Sequence, residues 1–113
     1  MRILEEIIRI KKDRGYILSK LPKAELLTQL AEEGAELTHA ALKLRRAVEG
    51  TNPTPITVPD AVDMLQEEVS DVLLLINLLD LDWNEDAINE TMERKILRWA
   101  SRLREREGKN CGA

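Results

Sequence analysis

The chain has no phenylalanine, one tyrosine, two tryptophans, one histidine and one cysteine in 113 residues. Each shortage removes a class of answer. The lone Cys111, between Asn110 and Gly112, offers neither a disulfide framework nor a thiolate metal site. No apolar run exceeds Val72–Ile76, far too short to span a bilayer. Nothing near the start reads as a secretory leader, because Glu5, Glu6 and Arg9 interrupt the apolar residues there. The net charge is −4, and the one strongly basic segment, Arg94–Arg106, is interleaved with acid, which argues against a general nucleic-acid binder. These absences lead us to expect a cytoplasmic chain with neither membrane nor nucleic acid as partner.

What is present is helical. The chain is 43% hydrophobic and 34% charged, and Leu, Ile, Ala, Glu, Lys and Arg dominate it. Its length suits one domain with a modest core. Apolar residues at helical spacing predict a first helix over 2–14, stopped by Gly15. A linker, Tyr16–Leu21, leads to Pro22, which opens a second helix running to about Glu49 and roughly 42 Å long at 1.5 Å per residue. Gly50 ends it, and Thr51–Pro59, with three prolines, forms a loop. Asp60 caps a third helix, Ala61 to about Asp80. Asp82 with Glu85 makes a capping-box-like start for a fourth, which ends near Glu107. With only one or two residues between them, helices three and four should pack antiparallel. The expected fold is all-α: residues 1–107 form a single antiparallel bundle of four main helices, and 108–113 a frayed tail.

Two acid pairs stand out against that frame. Glu33/Glu36 and Glu68/Asp71 are each spaced i,i+3 and so share a helix face. At 100° per residue, Leu26, Leu30, Leu37 and Leu44 form the apolar stripe of helix two, with Glu33 inside it and Glu36 at its edge. On helix three, Ala61, Leu65, Val72, Leu75 and Leu79 form the stripe, with Glu68 inside and Asp71 at the edge. Acids converging on a buried seam repel one another unless something positive lies between them. A hard divalent cation such as Mg²⁺ or Mn²⁺ takes oxygen ligands and answers that need.

Helix four shows the opposite anomaly. Lys95 sits within a stripe of Ile88, Met92, Trp99 and Leu103, and Arg98 lies at its margin, where together they suit an anion. Helix three is apolar almost all round, so a partner subunit is expected, in a homodimer or homotetramer built through that helix. The bland alternatives are a solvated acidic face for the Glu pairs and core anchoring for Trp83 and Trp99. Glu36 and His39 read as Glu-x-x-His, half of a di-iron carboxylate signature, but the chain has no second histidine to complete it.

Leu30-Ala31-Glu32-Glu33-Gly34-Ala35-Glu36-Leu37, followed by Glu67-Glu68-Val69-Ser70-Asp71-Val72, resembles the E-E-x-x-E … E-x-x-D pattern of MazG-like nucleotide pyrophosphohydrolases. These belong to the all-α NTP pyrophosphatase group. Lys95-Ile96-Leu97-Arg98-Trp99 is similar to that family's K-F-x-x-R-F segment. The resemblance spans about residues 24–100. It implies Mg²⁺-dependent hydrolysis of a nucleoside triphosphate to the monophosphate and pyrophosphate. By position, Glu33, Glu36, Glu68 and Asp71 would hold the metal and Glu32 would be an accessory acid; the general base that polarises the water would be either Glu32 or Glu33. Lys95 and Arg98 would contact the triphosphate. Glu93 stands where the family often has asparagine, and the stretch between the acidic blocks is longer than in short members. The competing expectations are a non-enzymatic helical oligomerisation module and a carboxylate di-iron bundle.

Overall fold

A computed structural model describes residues 2–111. Four helices make up these residues, with no strand among them: α1 (Arg2–Lys20), α2 (Lys23–Glu49), α3 (Val58–Leu79) and α4 (Glu85–Cys111). The chain divides into two units between Asp80 and Leu81. The first carries α1, α2 and α3; the second carries α4.

Several helix ends fall elsewhere than the sequence suggests, each for a local reason. α1 runs through Gly15 to Lys20. One interior glycine costs a helix only about 1 kcal/mol relative to alanine, and the following turn is well held. Ser19 Oγ donates to the Tyr16 carbonyl at 2.7 Å, and Lys20 Nζ stands 5.6 Å over the Tyr16 ring. The expected linker 16–21 is therefore helix almost throughout, and only Leu21 and Pro22 separate α1 from α2.

Pro22 lies just outside α2, in extended conformation, and its carbonyl accepts from the backbone N–H groups of Glu25 and Leu26. Gly50 closes α2 as expected. At φ 66° it adopts the left-handed conformation that only glycine takes without steric cost, and its N–H donates to the Arg46 carbonyl at 2.9 Å.

Thr57, not Asp60, caps α3. Its hydroxyl oxygen accepts from Asp60 N–H at 3.2 Å, and Pro59 fits the first turn, where its missing N–H costs nothing. Five residues, 80–84, separate α3 from α4, rather than one or two. Asp80 ends α3 in a left-handed conformation, with φ 40°, and Asn84 rather than Asp82 caps α4 through Oδ1, which accepts from Ala87 N–H at 3.0 Å. α4 continues past Glu107 and through Gly108 to Cys111, so the expected tail is helical as far as it is described; residues 112 and 113 lie outside the described residues.

In the first unit α2 and α3 pack against each other. Leu26 and Ala40 of α2 and Ala61, Leu75, Leu78 and Leu79 of α3 form the buried core. Leu26, near the start of α2, shares a cleft with Leu78 and Leu79 at the end of α3, and Glu33 meets Glu68 and Asp71 midway. The pair is therefore antiparallel. Each buried leucine contributes on the order of 2 kcal/mol. Arg14 ties α1 to α3 by donating from Nε to Asn77 Oδ1 at 3.1 Å and from a terminal nitrogen to the Asn77 carbonyl at 3.0 Å. The other side of α3, including Val62, Val69 and Leu73, stays exposed.

The cap assignment is checked by paired alanine variants followed by urea unfolding. Thr57→Ala should cost about 1 kcal/mol, while Asp60→Ala should cost clearly less. The reverse order would return the cap to Asp60.

Candidate metal centre

The antiparallel register of α2 and α3 sets the centre of the first unit. Glu33 enters from α2 and Glu68 and Asp71 from α3, and one carboxylate oxygen from each lies within 4.8 Å of the others. All three residues are half-buried. Gln29, one turn before Glu33, donates from Nε2 to Glu33 Oε1 at 3.1 Å and so fixes that carboxylate's orientation. Gln29, Glu33, Asp71, Leu74 and Leu75 line a small cleft of about 130 Å³ beside the group.

Glu68 Oε2 is buried and has no hydrogen-bond partner. An acceptor shut away from water without a donor is costly and rare in folded chains. Burial, first, pushes the Glu68 carboxyl above its ordinary value; the negative charges of Asp71 and Glu33 act the same way. A hydrogen bond shared with Glu33 when Glu68 is protonated and the charge of Glu36 add to the effect. No lysine or arginine forms an ion pair with these acids among the described residues, where Arg45–Glu49 is the ion pair present.

Four of the sequence-derived positions meet here to different degrees. Glu33, Glu68 and Asp71 come together. Glu36 lies one turn along α2, exposed and outside the three-oxygen group, yet near enough for its charge to act on Glu68. Glu32 is exposed, one residue and so about 100° round the helix from Glu33. His39 is exposed on α2.

Lys95 and Arg98 belong to α4 in the second unit. There they line an open hollow of about 410 Å³ with Trp99, Arg102, Leu103 and Arg106. Arg102 and Arg106 escaped the sequence reading. Their spacing from Lys95, i+7 and i+11, was the signal that puts all of them on one face.

Three carboxylates with an unpartnered buried oxygen fit a hard divalent cation, which takes oxygen donors and reverses the repulsion among them. Nitrogen and sulfur donors, which a softer metal would prefer, are absent from the group. Comparison of the chain with protein-family models, with curated proteins and with solved structures gives no match.

The raised Glu68 value has a stability consequence of definite sign. The folded chain holds this proton to higher pH than the unfolded chain does. The contribution of Glu68 is therefore fully present below its ordinary value of 4.5 and is lost as pH rises through the folded value. In protein freed of metal by a chelator, Glu68→Gln should raise the thermal midpoint at neutral pH, and the gain should fade as pH falls into the ordinary carboxyl range. A gain that grows on acidification would contradict this electrostatic account.

Proposed function

We propose that the chain is a Mg²⁺-dependent nucleoside triphosphate pyrophosphohydrolase of MazG-like type, converting an NTP or dNTP and water to the monophosphate and pyrophosphate. The observation that carries the reading is the buried Glu68 oxygen left without a donor among three converging carboxylates. The sequence resemblance to MazG-like enzymes assigns the same acids to metal binding.

In this reading Glu33, Glu68 and Asp71 hold the ion, and Glu36 completes the set. Once bound, Mg²⁺ or Mn²⁺ supplies the positive charge that offsets phosphate oxygens and makes water a better nucleophile. Glu32 or Glu33 takes the proton that the attacking water loses. As the bond between the α-phosphoryl group and its bridging oxygen breaks, its electron pair leaves with pyrophosphate. Lys95 and Arg98 balance the charge of the phosphates, Arg98 through its forked N–H donors. In the same reading α4 completes an antiparallel four-helix bundle, and the exposed face of α3 seats a second chain of a homodimer or homotetramer.

The exposed Val62, Val69 and Leu73 also favour a second reading, a helical oligomerisation module without catalysis. A ligand that binds only the folded chain must raise its melting point. The module reading therefore predicts no shift with millimolar Mg²⁺ or Mn²⁺, and the enzyme reading predicts a rise.

A pyrophosphate-release screen over the eight common ribo- and deoxyribonucleoside triphosphates with Mg²⁺ should find at least one substrate. Glu68→Ala should lower turnover by more than about 100-fold, exceeding the loss typical of residues that only support a metal ligand, while helicity is kept. Full activity in that variant would refute the assignment. Lys95→Ala should raise KM or lower kcat without changing the Mg²⁺ dependence of melting.

A further inference from the structure

The first half of α1 carries an apolar row with nothing against it. Ile3, Ile7 and Ile10 are 72%, 45% and 65% exposed, and Leu4 beside them is 60% exposed. The row follows the alternating 4-3 spacing of a coiled-coil seam and continues through Arg14 and Ile17. Arg14 marks where this use of the helix stops, because its guanidinium is spent on Asn77 of α3. From Arg14 back to Ile3 the helix offers roughly 16 Å of seam at 1.5 Å per residue.

The charges flanking the row say what covers it. With Ile3 and Ile10 at d and Ile7 at a, Glu6 and Asp13 fall at g, and Leu4 and Lys11 at e. In a parallel pair, each g residue faces the e residue five positions later on the other helix. Glu6 of one chain then meets Lys11 of the second, and symmetry makes the contact twice. An antiparallel pair would set g against g, bringing the acids Glu6 and Asp13 together. None of these charged residues forms an ion pair within the described chain.

The geometry points to a parallel self-pairing of α1, in which Ile3, Ile7 and Ile10 of one chain pack on the same residues of a second copy, with Glu6–Lys11 contacts on both sides. This interface is separate from the exposed face of α3 and does not depend on the metal centre. Isoleucine at both seam positions also admits a third strand, so an assembly of two or of three chains supports the inference.

The test is sedimentation equilibrium of the full chain and its variants, with helicity followed by circular dichroism. Ile7→Glu should reduce the assembly to a smaller mass while keeping its helicity. Glu6→Lys sets a positive charge against Lys11 of the second copy and should weaken self-association roughly fivefold, in keeping with exposed ion pairs. The double variant E6K/K11E restores opposite charges and should recover the original affinity. Leu73→Glu on α3 serves as the independent arm. The inference fails if the unaltered chain is monomeric at high micromolar concentration. It also fails if Ile7→Glu leaves the mass unchanged while Leu73→Glu lowers it, or if E6K/K11E associates no better than Glu6→Lys.

Discussion

The seam between α2 and α3 is the contact on which the rest of the first unit depends. It buries Leu26, Leu75, Leu78 and Leu79 and, in the same interface, holds Glu33, Glu68 and Asp71 close together. Those two facts pull in opposite directions. Apolar burial draws the helices together, and each step of that approach takes the carboxylates further from water and closer to one another. The tension concentrates at Glu68, whose proton is held more tightly and whose Oε2 finds no donor. A divalent cation held between the carboxylates, as proposed, would relieve it.

Helix ends matter because they set register. Gly50 in its left-handed conformation closes α2, and Thr57 opens α3 by capping Asp60 N–H. The connection between these two points fixes which turn of α3 meets which turn of α2. A slip of one residue would rotate Glu68 about 100° out of the seam. Pro53 and Pro55 in that loop limit the ways the chain can make the turn, since each proline holds its φ.

The apolar surface left over has physical content of its own. Three helices, only two of them packed along their lengths, cannot cover α1 or the outer side of α3, and exposed isoleucine and leucine rows remain on both. On α1 that row is flanked by Glu6 and Lys11, whose opposite charges would face each other in the parallel self-pairing proposed above.

Much of this was legible in the sequence because helical periodicity is a local property. The all-α class, the stripes on α2 and α3 and the inward placement of Glu33 and Glu68 follow from 100° per residue and need no knowledge of neighbours. The end of α2 was equally local, since Gly50 fits a left-handed turn. The competition among nearby signals was not legible. Gly15 did not stop α1, Thr57 displaced Asp60 as a cap and Asn84 displaced Asp82, because several residues could serve and packing with local hydrogen bonds chose among them. Distances between helices lay further beyond reach. That Asp71 joins Glu33 and Glu68 while Glu36 stays outside, and that one oxygen of Glu68 is orphaned, follows from the register of two helices whose residues lie more than thirty positions apart. Periodicity alone determines which way a residue faces; only the tertiary packing decides what it meets there.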